Sequence, residues 1–173
     1  MEKIAVLSDI HGNMPALDAV TRDLEQRGIR QLICLGDLVG KGPDSDTSVD
    51  RIRALCQTVI RGNWDDFISN PTDNQTLEWH QRKLGEERMN YLKSLPFSVE
   101  FYMSGRLIRL FHASPRSVYE RIQPGIVWMP EYRYLRLRSI RAAACRRTWQ
   151  GTEIFIMPTC SILPAKPYLM WAV

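Results

Sequence analysis

Ser8-Asp9-Ile10-His11-Gly12-Asn13 follows directly on the apolar run of Lys3–Leu7. Side chains two positions apart in an extended segment share a side. The spacing therefore predicts that Asp9 and His11 converge on one point where a buried strand runs out, and Gly12 lets backbone approach closely there. A carboxylate and an imidazole aimed together can hold a metal ion or work as a general-base pair. Three more apolar segments end in similar residues: Gln31–Leu35 runs into Gly36-Asp37, Thr58–Arg61 into Gly62-Asn63, and Leu107–Phe111 into His112. In open α/β sheets, sites form outside the carboxyl ends of the strands. Asp9, His11, Asp37, Asn63 and His112 are thus the candidate metal ligands. Oxygen and imidazole without thiolate suit Mn²⁺, Fe or Zn²⁺.

Taken singly, each residue has a plainer reading. Asp9, Asp37 and Asn63 could be turn formers, His11 a neighbour of a helix cap, and His112 a satisfied core histidine. Arg61 and Lys41 could be ordinary surface cations, and Trp64 could pack as core. Those readings are poor for the set, because all five candidates fall at strand ends.

The elements that must position them follow from periodicity. Lys3–Ser8 reads as a fully buried strand. Met14–Arg27 reads as an amphipathic helix, with Leu17, Val20 and Leu24 at spacings of three and four and Gly28 as the stop. Gln31–Leu35 is a second strand, a helix is expected near Thr47–Leu55, and Thr58–Arg61 is a third strand. Thr76–Leu95 reads as a longer polar helix. Val99–Met103 and Leu107–Phe111 form a hairpin about Ser104-Gly105. The alternation argues for βαβ units and a mostly parallel sheet. No element is assigned after Pro124.

With these motifs in place, the chain resembles the calcineurin-like metallophosphoesterases, through "SDIHGN", "LGDLVGKGPDS", "IRGNWDD" and "LFHASP" in that order. "GDLVGKGPDS" followed by "RGNWD" looks most like the branch of serine/threonine phosphatases and diadenosine-tetraphosphate hydrolases. The resemblance implies an α/β fold, a β-sandwich flanked by helices. It also implies a dinuclear site: Asp9 and His11 on the first ion, Asp37 bridging, Asn63 and His112 on the second. The two divalent ions would be Mn²⁺ first, with Fe, Zn²⁺ or Ni²⁺ as alternatives. Standing about 3.5–4 Å apart, they would share a bridging hydroxide that attacks directly, with no covalent phospho-enzyme. The implied reaction is hydrolysis of a phosphate mono- or diester. Arg61 would neutralise phosphate oxygens and belong with Asp65 to the catalytic residues, and Lys41 would bind phosphate as a point charge. Expected substrates are a phosphorylated small molecule, a nucleotide or a phosphoprotein.

Two departures stand beside the resemblance. The family's Gly-Asn-His reads Gly62-Asn63-Trp64, which removes an imidazole thought to protonate the leaving group and leaves Asp65 without its usual partner. The family also closes its site with Gly-His-x-His after a further strand. The histidines here are His11, His80 and His112, so none follows residue 112. His80, in a polar helical stretch, is expected to be a solvated surface residue.

The bulk numbers fit one soluble globular domain: 173 residues, 45% hydrophobic and 24% charged. The first residues are too short and too polar a run for a secretory signal. Cys34, Cys56, Cys145 and Cys160 show no C-x-x-C spacing and are expected to be free thiols in a reducing cytoplasm. Charge is uneven. Residues 1–124 hold 16 basic and 17 acidic residues, whereas 125–173 hold 7 and 2, a net of +5.

Residues 1–124 are therefore read as the N-terminal part of a metallophosphoesterase domain, and 125–173 as an atypical basic tail. Tyr132–Arg147 interleaves Arg with apolar residues, as a nucleic-acid or anionic-lipid helix does. Ile154–Val173 has the length of a membrane span but contains Pro158, Pro164, Lys166 and Pro167. Neither membrane nor nucleic acid is the expected partner. The reading preferred is a tail out of frame, because the metal motif vanishes and the charge balance flips together. The second half of the sandwich is then incomplete. The rival to an enzyme is a catalytically impaired binding module on the same fold.

Overall fold

The computed structural model describes residues 3–103, 106–120, 145–149, 152–158 and 171–172. Strand β1 (Lys3–Ser8) leads through a short loop to α1 (Met14–Gln26), and β2 (Gln31–Cys34) to α2 (Ser45–Leu55). β3 (Thr58–Val59) precedes α3 (Asn63–Ile68) and α4 (Gln75–Ser94). The hairpin strands β4 (Ser98–Met103) and β5 (Arg106–Phe111) come next, then β6 (Cys145–Trp149), β7 (Thr152–Pro158) and β8 (Trp171–Ala172). Among the described residues they form a five-stranded sheet of order β3-β2-β1-β7-β6 and a three-stranded sheet of order β4-β5-β8.

β1 is central because it is apolar on both faces. Ala5 and Leu7 enter the cluster shared with the helices, where Leu17, Leu24, Val49 and Leu92 pack. Ile4 and Val6 face the other way, against Ile108, Leu110 and Met103 of the second sheet. The alternation is the two-residue period of a strand, and burial of both faces makes the run read as unbroken hydrophobicity. β1 lies parallel to β2 on one side and to β7 on the other, while β2 lies parallel to β3. The carboxyl ends of these four strands consequently share one edge.

Local chemistry accounts for the helix ends. Asn13 caps α1 by accepting from the Ala16 N–H. At the other end the Gly28 N–H donates to Glu25 and the Ile29 N–H to Leu24, with Gly28 at φ +66°. Leu24 and Ile29 are both buried, which completes a Schellman motif.

Four sequence expectations need correction. The long polar helix is interrupted at Gly85, where φ is +71° and ψ 171°, a conformation only glycine adopts cheaply. The third strand ends at Val59 rather than Arg61. A short helix, α3, succeeds that strand where the sequence suggests only a strand end. Residues after Pro124 do contribute elements. β7 carries Ile154-Phe155-Ile156-Met157, a short apolar run without alternation, which periodicity alone does not assign. It is flanked by β1 and β6 in the sheet. The first five residues of the Ile154–Val173 stretch are thus strand. Most of the Tyr132–Arg147 stretch and the Ser104-Gly105 turn lie outside the described residues. Among the described residues no helix is long and apolar enough to cross a membrane.

Candidate metal centre

β1 ends at Ser8, and the loop beyond it is zipped to the loop beyond β2. The N–H groups of Asp9, His11 and Gly12 donate to the carbonyls of Gly36, Asp37 and Leu38, at 3.1, 2.9 and 3.0 Å. Asp9, His11 and Asp37 have φ of +57°, +50° and +57°. Asp9 and His11 therefore converge through a left-handed turn, not through the extended alternation the sequence implied. Asp and His tolerate that region better than most residues. The β2 and β3 ends press just as closely. A Cβ on Gly36 would lie 2.2 Å from the Gly62 N, and one on Gly62 would lie 2.2 Å from the Asp37 N.

These contacts bring Asp9, His11 and Asp37 together, with one ligand atom from each lying within 4.8 Å of the others. His11 is 1% exposed. Its Nδ1 lies 2.9 Å from the Val39 carbonyl, which requires the proton on Nδ1 and leaves the Nε2 lone pair facing inward. Nε2 stands 3.4 Å from Asp37 Oδ2 and 3.7 Å from Asp9 Oδ1. His112 repeats the arrangement from the end of β5. Its Nδ1 lies 2.9 Å from the Leu35 carbonyl, and its Nε2 lies 2.9 Å from Asn63 Oδ1 and 3.7 Å from Asp37 Oδ1. Asp37 thus turns one oxygen to each histidine.

The donor set fits a divalent cation. With Nδ1 of His112 donating, Nε2 and Asn63 Oδ1 are two acceptors facing each other, a repulsive contact unless the amide turns or a cation joins them. Burial first, then the charges of Asp65 and Asp9, push Asp37 up to about 8. A bound cation relieves that crowding of carboxylates. Asp9, itself half-buried, stays below its usual value. Its burial acts to raise it, but the neighbouring His11 and His112 rings and the hydrogen bond from the Ser8 hydroxyl outweigh that penalty. Positive charge already collects here, since Lys41 Nζ approaches His11 Nε2 to 2.8 Å.

The sequence profile of the calcineurin-like phosphoesterases matches residues 2–137. The chain belongs to that family. It is 35% identical over 136 residues to an uncharacterised protein of Methanocaldococcus jannaschii, covering 72% of this chain and 55% of that one. It is 30% identical over 101 residues to phosphodiesterase YfcE of Escherichia coli, covering 51% of this chain and 55% of that one. Among solved structures, a metallophosphoesterase from Sphaerobacter thermophilus superposes with a TM-score of 0.58 at 30% identity, covering 69% of this chain and 50% of that one. The chain spans about half the length of the relatives it matches.

In this calcineurin-like chain the other expected site residues have distinct places. The resemblance puts Asp65 among the catalytic residues, but its side chain is fully buried and both oxygens are occupied. Oδ2 accepts from the N–H groups of Asp37 and Gly62 at 2.7 and 2.9 Å, and Oδ1 from that of Leu38 at 2.9 Å. Burial raises its pKa against those three donors. Its side chain clamps the β2 and β3 ends together.

The Arg61 guanidinium pairs with Asp66 on α3 at 3.2 Å, and Asp66 also accepts from the Tyr119 hydroxyl at 2.6 Å. Trp64, in the family's histidine position, donates its backbone N–H to Asp37 Oδ1 at 2.8 Å. Its indole meets the His11 ring edge to face at 5.9 Å. His80 corrects the sequence reading. It is 8% exposed, with Nδ1 3.4 Å from the Ser45 hydroxyl, which in turn accepts from the Gly40 N–H. Polar neighbours in sequence hid its inward-facing helical position. The carbonyls of Val39 and Leu35, which orient both histidines, carry no side-chain signal at all.

Proposed function

We propose that the chain is a metal-dependent phosphoesterase, hydrolysing a phosphate mono- or diester at a dinuclear centre. The observation that carries this reading is Asp37, placed with one oxygen toward His11 and the other toward His112. In this reading Asp9 and His11 hold one ion, Asn63 and His112 hold the other, and Asp37 serves both. Manganese is the first choice, with Fe, Zn²⁺ or Ni²⁺ as alternatives. When bound, the ions supply Lewis acidity, lowering the pKa of an attacking water and drawing charge from the phosphate.

The chain's own residues do the rest. Val39 and Leu35 keep the histidine lone pairs aimed inward, and Asp65 fixes the loop that carries Asp37. Lys41 and Arg61 supply positive charge for phosphate oxygens. Trp64 offers no titratable proton to the leaving oxygen, so esters of acidic alcohols are the favoured substrates. Phosphodiesterase YfcE supports a diester among them. A nucleotide, another phosphorylated small molecule and a phosphoprotein fit the same centre. Cys34 and Cys56 are free, in accord with a reducing cytoplasm.

A second reading, a binding module without turnover, is favoured by the stretch beyond β7. That strand ends at Pro158 beside Ser8, and the sequence continues Thr159-Cys160-Ser161 with no histidine. The proposed organisation is a metallophosphoesterase domain in residues 1–124 and an atypical tail, out of frame, in 125–173. Calorimetric titration with Mn²⁺, combined with turnover of bis(p-nitrophenyl) phosphate, separates the two. Two ions per chain with turnover are expected. One ion or none, without turnover, overturns the enzyme reading.

A further inference from the structure

The rim beside the metal centre is built from aromatic rings that the hydrolytic chemistry leaves unused. Trp64 and Phe67 stand one turn apart on α3, with ring centroids 6.1 Å apart and planes at 87°. Trp64 touches the centre through the edge contact with His11. Lys41 Nζ lies 5.7 Å from the indole centroid on its way to His11 Nε2. Gly40 presses the indole too, where a Cβ would come within 2.3 Å of Cε3. Core packing accounts for the buried part of Trp64. It does not account for Phe67, which is 47% exposed, or for Tyr119, 52% exposed and anchored through its hydroxyl to Asp66.

Asp66 also holds Arg61, so a cation and the Tyr119 hydroxyl share that carboxylate, and a second cation, Lys41, lies against the Trp64 indole. Rings interleaved with cations at the edge of an anion-handling centre are the components with which proteins stack a base while holding its phosphate. Two small ring faces fall far short of the roughly 800 Å² per partner that a stable protein interface buries. They match one planar group.

We propose that Trp64 and Phe67 form a ledge for the planar ring of an aryl or nucleoside phosphoester whose phosphate sits at the metal centre. This rests on the phosphoesterase reading above. The ledge selects among substrates by ring stacking on the group next to the phosphate, and Tyr119 and Arg61 bound it on the Asp66 side.

The test uses the manganese-loaded full chain and two diesters with the same leaving group, thymidine 5′-(p-nitrophenyl phosphate) and methyl p-nitrophenyl phosphate. The expected kcat/KM favours the nucleoside ester by roughly 5- to 150-fold, the span of one base stacked on one aromatic side chain, with the difference in KM. Phe67→Ala lowers the ratio severalfold, Trp64 remaining, and Phe67→Tyr preserves it. Equal kcat/KM values in the wild type, or an unchanged ratio in Phe67→Ala, overturn the ledge while leaving the phosphoesterase standing. Binding of thymidine 5′-monophosphate, followed by tryptophan fluorescence, separates the remaining cases. If neither ester turns over but Phe67→Ala weakens nucleotide binding by at least about fivefold, the ledge stands and the phosphoesterase reading falls. If neither ester turns over and binding is unaltered by the variant, both fall.

Discussion

Asp37 is 2% exposed, and burial with the neighbouring charges of Asp65 and Asp9 moves its carboxyl from an ordinary 3.8 up to about 8. In the metal-free chain the folded state therefore keeps a proton that the unfolded chain gives up near 3.8. Stability falls as pH rises between those two values. Thermal unfolding in EDTA should show Tm declining from about pH 5 to about pH 8, and Asp37→Asn, uncharged and of the same shape, should remove that slope. The same variant should abolish the Tm rise on adding Mn²⁺ and lower turnover more than about 100-fold.

Asp65 predicts a different pattern. Asp65→Ala strands three buried N–H donors and should cost about 3 kcal/mol or more in urea unfolding. In Asp65→Asn the amide can replace only one accepting oxygen. It should weaken Mn²⁺ binding by roughly 10- to 100-fold, as loss of a residue behind the ligands does. A loss of turnover at saturating metal with unchanged Mn²⁺ affinity would instead place Asp65 in the chemistry.

Between elements, the connection that bears on the site runs from α4 to the loop before α2. His80 reaches Ser45, Ser45 accepts from Gly40, and Gly40 backs Trp64. Burial, and then the charge of Lys83, hold the His80 pKa below its usual 6.5. The folded imidazole takes up a proton less readily than that of the unfolded chain, which titrates near the usual 6.5. Its contribution is full above that value and is lost as pH falls. His80→Gln should be less acid-sensitive than the wild type, with the wild-type Tm falling relative to that of the variant from about pH 7 to about pH 5. The elements themselves were largely legible. α1 announced itself by the Leu17, Val20, Leu24 spacing and by Gly28. α3 did not, because six residues give too little period to read.

At the scale of the whole molecule, β7 is the strand that joins the two ends of the chain. It pairs with β1 from Lys3↔Glu153 to Ser8↔Pro158 and with β6 from Thr152 to Ile156. Amides of residues 153–157 should exchange with deuterium as slowly as those of β2, since strands flanked on both sides open only with the global transition. Fast exchange there would remove β7 from the sheet and leave β1 as an edge. The calcineurin-like fold was legible from four motifs in order. The part played by residues after 124 was not, because a short apolar run without alternation has no readable period.

The sequence by itself determined which chemistry is at hand. Oxygen and imidazole at the ends of successive apolar runs specify a cation centre at one sheet edge, because parallel strands must end together. It also determined that the position after Asn63 holds no imidazole. Only the tertiary structure decided how the ligands meet and what the neighbours do. Asp9 and His11 converge through left-handed backbone held by β2-loop carbonyls, Asp65 clamps the β2 and β3 ends, and His80 turns inward. Each of those outcomes depends on backbone groups and on residues 26 to 35 positions apart, which no local pattern of side chains records.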